Sequence, residues 1–416
     1  MTPAQILTGF LRAQDAQSLS FDPADLTRSD WEEVIRLAKE HRLAPQFFVR
    51  LNKLDKLSDL PAESAQRLRN MYLSSVARGL QLSSELAEIL DHFNKTDIPV
   101  IVLKGPHLAE MVYKDWALRP MGDFDLMVKK EDLARAAEGL KVLGYEASAE
   151  FHLEAQIKFH NDLPMLSKQN GFIVDPHWTL ELPTSPFKID IEGVWQRARK
   201  TTISGTDALV LSPEDFLLHL CIHAAYHHRL SFGLLLLRDI AETIQCLRGE
   251  IDWEKLINTA EQWGAGRCLS LSLYLSKELF AAEAPSEVLK KDLFSDSDLN
   301  ISEIARERIF GTSAGNLPLT HNISRLWGER GFWDKAEIFL KNAFPSTYAL
   351  AAIYPVNPSS KRIYLYYPVR LKDLLVLYGK TVFSLFRRDA HTIEQIKKEE
   401  QGNILVDWLT AEEIHL

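Results

Sequence analysis

The sequence predicts an α+β protein in which a short block of strands lies between two long helical regions. Three observations predict it. Residues 1–97 carry apolar positions at helical spacing, residues 98–205 hold short apolar runs bounded by turn residues, and the helical period returns from Leu211 to about Phe280. The domain divisions drawn from these changes are 1–97, 98–205, 206–325 and 326–416.

In the first region, Ser29-Asp30 gives a capping start to an apolar periodic run, and Ala62 to Phe93 repeats the pattern through Leu68, Met71, Leu73, Val76, Leu80, Leu82, Leu86 and Leu90. These helices are expected to scaffold the sheet and to carry no chemistry.

The first strand is Val100 to Leu103, entered through Ile98-Pro99. Lys104-Gly105-Pro106-His107 then opens a helical stretch from Leu108 to Tyr113. A strand that enters a helix through Gly-Pro leaves backbone N–H groups free where anions are favoured. Lys104 adds a point charge beside them, and His107 stands at the same helix start as a further phosphate contact.

The next strand lies in Arg119-Pro-Met-Gly-Asp-Phe-Asp-Leu-Met-Val-Lys129. Asp123 and Asp125 alternate with Phe124, Leu126 and Val128, so a strand here aims both carboxylates to one face. Such a pair suits Mg2+, which binds through one or two carboxylates and completes its shell with water and substrate phosphates. The alternative for a bare Asp-x-Asp is plain contact with water. Arg119 sits on the preceding loop, within reach of triphosphate oxygens or of a surface ion pair.

A helix from Lys130 to Leu140 is expected to end at Gly144, with Leu143-Gly144-Tyr145 turning into a further strand. Asn170-Gly171 is a hairpin signal that pairs 163–167 with 172–178 in antiparallel fashion. Asp175 lies on the second of these strands. If that strand neighbours the one with the Asp pair, three carboxylates converge. His177 shares a face with Asp175 and either orients the acceptor or a carboxylate, or packs between Pro176 and Trp178.

In the third region Ser212 caps a helix with Pro213 at its first position. His219, His223 and His227 recur every fourth residue along one helical face. Zinc accepts such nitrogens, but no matching Cys or His pair completes a structural site. The face is expected to line a cleft opposite the sheet or to pack against it. Arg238-Asp239 interrupts the apolar run Phe232 to Ile244, and a buried Asp239 needs a bond to one of these histidines or to backbone.

The last region holds an acidic stretch from Ser286 to Asn300, a loop at 316–320 and dense aromatic residues from Trp327 to Tyr354. Leu371 to Arg388 has an apolar body with Lys372, Lys380, Arg387 and Arg388 around it. It is expected to dock on the body of the protein, with peripheral membrane contact as the alternative.

Composition narrows the partners. With 48 basic and 57 acidic residues among 416, the formal charge is −9. Broad binding to nucleic acid rests on neutralising phosphates with Lys and Arg, so a polynucleotide partner is disfavoured. Hydrophobic residues at 46% and charged residues at 25% match a soluble globular protein. The three cysteines, Cys221, Cys246 and Cys268, lie far apart without metal-ligand spacing, which suits a reducing compartment. The first ten residues lack the pattern of a signal peptide, and no run offers about 18 consecutive apolar residues for a transmembrane helix. A cytoplasmic location is expected.

The ordered series Lys104-Gly105, Tyr113, Arg119, Gly122-Asp123-Phe-Asp125-Leu-Met-Val128, Leu143-Gly-Tyr145 and Asp175-Pro-His177-Trp178 resembles the uncharacterised nucleotidyltransferase family within the DNA polymerase beta-like superfamily. The likeness continues through Leu211 to His223, Leu237-Arg-Asp-Ile240 and Ile251-Asp-Trp253, and covers roughly residues 70 to 285. It implies a small mixed sheet flanked by helices, with two acids on one strand and a third on its neighbour. The implied activity is metal-dependent transfer of a nucleoside monophosphate from a nucleoside triphosphate such as ATP to an acceptor, with release of pyrophosphate. Asp123 and Asp125 would hold Mg2+ (or Mn2+) on the triphosphate, and Asp175 would complete a second metal site or deprotonate the acceptor. The helical region after the sheet commonly closes the cleft, which gives His223 and Asp239 a substrate-facing role. The wider superfamily usually carries Gly-Ser after the first strand, and Lys104-Gly105 stands there instead. That departure supports a second reading, a catalytically silent protein that holds a nucleotide or partner on the same fold. The acceptor is a small molecule, a sugar or a protein side chain.

Overall fold

The computed structural model describes residues 1–147, 156–158, 160–164, 166–169, 171–286, 288–289, 301–311, 340, 343–354, 356–386 and 390–411. Four helices come first: α1 (Pro3–Arg12), α2 (Arg28–Glu40), α3 (Ala44–Lys53) and α4 (Ala62–Lys95). α2 starts just ahead of the expected Ser29, because Thr27 and Asp30 cap it reciprocally. The Thr27 Oγ1 accepts from the Asp30 N–H at 3.2 Å, and the Asp30 carboxylate accepts from the Thr27 N–H at 2.9 Å.

The 34 residues of α4 extend about 51 Å and join two cores. Leu68 packs among the other helices, whereas Leu82, Leu86, Ile89, Leu90 and Phe93 pack on the sheet. Between them Leu73 and Leu80, expected on the buried stripe, are 49% and 68% exposed. Here the helix changes neighbours. At Gly79 it runs so close to the turn at Trp116 that an added Cβ would stand 2.9 Å from the Trp116 Cβ.

Next follow β1 (Val100–Val102), α5 (Lys104–His107), β2 (Phe124–Val128), α6 (Leu133–Val142), β3 (Glu146–Ala147), β4 (Leu166–Ser167), β5 (Ile173–His177), α7 (Ile191–Arg197), β6 (Arg199–Ile203) and β7 (Thr206–Val210). They form one seven-stranded mixed sheet in the order β3-β4-β5-β2-β1-β7-β6. β1 runs antiparallel to β2, while β2 and β5 run parallel with Asp125 opposite Asp175. Alternation sorts the two faces. Val100, Val102, Phe124, Leu126 and Val128 enter the core shared with α4 and α6. Ile101, Leu103 and Met127 enter the core shared with the later helices, on the face that carries Asp125.

The β6–β7 hairpin was not expected from the sequence. Its turn residues Ser204 and Gly205 have φ of 52° and 77°, the left-handed pair that suits a two-residue hairpin. The division at 205/206 therefore falls inside a hairpin, and β7 pairs with β1 in the same sheet.

The later helices are α8 (Pro213–Ile222), α9 (Leu234–Cys246), α10 (Trp253–Trp263) and α11 (Gly266–Phe280). Ser212 caps α8 by accepting from the Asp215 N–H at 3.2 Å, and every residue of α8 is buried. α12 (Ile301–Phe310), α13 (Thr347–Ile353), α14 (Tyr366–Phe386) and α15 (Ala390–Thr410) complete the described chain. Leu405 and Leu409 of α15 join Ile301, Ala305 and Ile309 of α12 in the larger core.

The acidic stretch from 290 to 300, the loop at 316–320, most of the aromatic stretch and Arg387 and Arg388 lie outside the described residues. Docking of 371–388 on the body is not seen over 371–377, where Leu375 and Val376 are 73% and 69% exposed. Among the described residues no helix is long and apolar enough to cross a membrane.

Candidate active site

The Asp125 face of the sheet and the helices packed over it enclose a cavity of about 650 Å³. That is the size of a small-ligand site. Asp123, Asp125 and Asp175 all line it, with Lys104, Gly105, Arg119, His177 and His223. The parallel register of β2 and β5 puts Asp125 and Asp175 side by side, and Asp123 shares their face two residues earlier.

Asp125 is the hub. Its Oδ1 accepts from the Lys104 ammonium at 2.8 Å and lies 3.0 Å from His177 Nε2. Asn161 Nδ2 stands 3.5 Å from His177 Nδ1, so the pattern assigns the ring proton to Nε2, which donates to the carboxylate. Burial opposes ionisation of Asp125, but the Lys104 charge and the His177 hydrogen bond outweigh it and hold its carboxyl well below the usual carboxylate range. Its neighbours go the other way. Burial, then the negative charge of Asp125, raises Asp123, and burial with Asp125 and Asp123 pushes Asp175 up to about 6.

Asp123 and Asp175 resist ionisation through burial first and the charge of Asp125 second, a cation beside them relieves the second part, and hard oxygen donors are the kind that Mg2+ or Mn2+ takes. Among the described residues no group of three or more His, Cys, Asp or Glu side chains forms a ready metal cage. Carboxylate oxygens are the donor type of an ion that takes the rest of its shell from phosphate and water.

Lys104 carries a φ of 35°, in the left-handed region that L side chains rarely adopt. The Leu103 N–H bonds the Asp125 carbonyl at 3.0 Å, which ties the Lys104 turn to β2. Arg119 is fixed from behind. Its Nε donates to Asp239 at 2.8 Å and its Nη1 to the Pro120 carbonyl at 2.8 Å, while the Tyr113 hydroxyl donates to the other Asp239 oxygen at 2.9 Å.

Two sequence expectations are corrected here. Asp239 is fully buried and lies behind Arg119 instead of facing a substrate, and its partners are Arg119 and Tyr113, not a histidine. His107 is also buried, and its ring stacks on Phe216 with centroids 3.8 Å apart, outside the cavity wall. Burial lowers its pKa to about 3, so it stays neutral and offers no charge to phosphate.

His107 allows a clean pH test. Its folded pKa is depressed, so its neutral form contributes stability fully above the unfolded value near 6.5 and loses it as pH falls toward 3. His107→Phe keeps the stack and removes the proton site. The variant is expected to gain on the wild type by about 1.4 kcal/mol for each pH unit below 6.5. Urea midpoints at pH 7 and pH 5 check this, and a difference independent of pH would contradict it.

The whole histidine run lines the cavity. For His219 and His223 burial first, then Lys104, keeps the rings well below the ordinary histidine range, and His227 at the same wall also bonds buried Glu181 at 2.8 Å.

One cleft residue had no signal in the sequence. Arg42, in the connection between α2 and α3, lines the cavity with its guanidinium 4.3 Å above the Phe232 ring. Its position is set by His41, whose Nδ1 accepts from the Leu234 N–H at 3.1 Å across 193 residues. Gly233 has a φ of 81°, and an added Cβ there would stand 2.0 Å from His41 Nδ1. The connection between α2 and α3 therefore supplies a residue to the cleft.

Comparison with curated proteins and with solved structures finds no match. The model of one family, described as uncharacterised nucleotidyltransferase, matches residues 27–281. The match begins ahead of α2 and ends at α11, so it takes in Arg42, the sheet and the helices over the cleft. On that match, the chain belongs to the uncharacterised nucleotidyltransferase family.

Proposed function

We propose that the chain moves a nucleoside monophosphate from a nucleoside triphosphate to a small-molecule, sugar or protein acceptor, on a site of the DNA polymerase beta-like kind. The observation that carries this reading is the side-by-side register of Asp125 and Asp175, with Asp123 on the same face of one cleft. Asp123, Asp125 and Asp175 would hold Mg2+ or Mn2+. When bound, such an ion neutralises phosphate charge and lowers the pKa of the attacking group.

The chain supplies the rest. Arg119, held by Asp239, and Arg42, held over Phe232, meet the triphosphate oxygens as preformed guanidinium contacts. Asp175 either completes the second metal site or, where it is left free of the ion, takes the acceptor's proton, and its carboxyl, pushed up by burial and by Asp125 and Asp123, suits the second role. The acceptor oxygen bonds to the α-phosphorus, the bond to the bridging oxygen breaks, and pyrophosphate leaves. Lys104 neutralises Asp125 before the ion and nucleotide arrive.

The test is a label-transfer assay with α-³²P-labelled nucleotides and fractionated cell extract, scored together with pyrophosphate release. Arg42→Ala is expected to raise KM for the nucleotide about tenfold with a much smaller change in kcat. A KM within twofold of wild type would remove Arg42 from the donor site. The Lys104–Asp125 ion pair favours the rival reading, because it occupies a carboxylate oxygen that faces the cleft. Tight nucleotide binding with no transfer to any fraction would establish that rival.

A further inference from the structure

A second cavity, of about 480 Å³, lies where α1, α3 and α9 meet the ends of α10 and α11. α9 lines both cavities. Leu236 faces the cleft, while Arg238, two residues and about 200° further round the helix, faces the second cavity.

Five basic residues line the second cavity, Arg12, Arg50, Lys53, Arg238 and Arg248, against one acid, Glu283, in a chain of charge −9. Arg12, Arg50 and Lys53 stand in last turns of helices, where the helix dipole favours cations whatever the cavity does. Arg238 has no such reason. It sits inside α9, is 6% exposed, and its Nε is buried without a hydrogen-bond partner. Among the described residues its one ion pair is with Glu242, and its guanidinium lies 5.3 Å from the Phe280 ring centroid. Arg50 is half-buried beside it and makes no salt bridge among the described residues. Burial first, then the Arg238 charge, lowers the Arg50 pKa, and Glu242 is the counter-charge the two arginines share. Arg248 pairs with Glu283 at 2.7 Å at the exposed rim.

Two adjacent guanidinium groups with one carboxylate between them leave a positive charge that burial penalises. A phosphate group supplies the missing negative charge and matches the donor fork of arginine. Trp253, Ile244, Ile251 and Phe280 give the same cavity an apolar side, which suits an organic body attached to the phosphate. We propose that this cavity is a second binding site, distinct from the cleft, for a phosphorylated small molecule. The inference does not depend on the nucleotidyl-transfer reading.

The test uses the full chain without divalent metal and inorganic pyrophosphate as probe, with calorimetry for affinity and hydrogen–deuterium exchange for location. Wild type is expected to bind, with protection over 238–254 and 281–286. Arg50→Ala and Arg248→Glu are each expected to weaken this binding about tenfold or more, while Arg42→Ala in the cleft preserves it. Arg248→Glu changes an exposed residue, so folding is not at stake in that arm. Absence of binding, protection confined to the cleft, or binding unchanged by both variants would overturn the proposal.

Discussion

Asp125→Asn is expected to lower nucleotidyl transfer by about three orders of magnitude, roughly 4 kcal/mol of barrier. The substitution keeps the shape of the side chain and removes its charge. Asp125 is the carboxylate that the protein works hardest to keep ionised, since Lys104 and His177 both bond its Oδ1 despite burial. An amide there still accepts one hydrogen bond but no longer balances Lys104 or offers a charged ligand to a divalent ion. The check is the rate of pyrophosphate release under saturating nucleotide, with circular dichroism to show that the fold persists. A loss below tenfold would mean that the hub of the hydrogen-bond network is not the hub of the chemistry.

Removal of the carboxylate behind Arg119 is expected to be the most damaging single change to stability. Asp239→Ala leaves the Arg119 guanidinium, 9% exposed in its side chain, without its counter-charge and the Tyr113 hydroxyl without an acceptor. Breaking a buried pair from one side costs about 3–5 kcal/mol, because the remaining charge is stranded in low dielectric. Urea denaturation gives the cost directly. In the variant that still folds, KM for the nucleotide should rise as well, since Arg119 is no longer held at the cleft. A destabilisation below about 1 kcal/mol would show that the pair is not buried as described.

Much of the site could be read from local pattern. The alternation around Asp123 and Asp125 and the Asn170-Gly171 hairpin signal are short-range and give the strands, whereas the parallel pairing that sets Asp175 beside Asp125 is only a condition in that pattern and is implied by the family resemblance. The helices at 62–95 and 213–222 followed from periodicity and a Ser-Pro start. What local pattern does not contain is the partner across the fold. Asp239 and His107 sit in the same motif-bearing stretches as true cleft residues, and only tertiary packing turns them away, one behind Arg119 and the other against Phe216. Arg42 is the converse case. Nothing in His41-Arg42-Leu43 signals a ligand, and it reaches the cleft because His41 meets the start of α9 some 193 residues later. The β6–β7 hairpin did carry a signal, Ser204-Gly205 between two runs containing β-branched residues, but a boundary between helix and sheet regions was drawn through it.

If the three acids of the cleft bind a nucleoside triphosphate together with a divalent ion, calorimetric titration of the full chain with ATP, first in Mg2+ and then in EDTA, will show it. Binding that falls at least about tenfold when Mg2+ is removed, and that Asp125→Asn reduces only in the presence of the ion, is the predicted result. Equal affinity with and without Mg2+, or no binding of any nucleoside triphosphate, would contradict it.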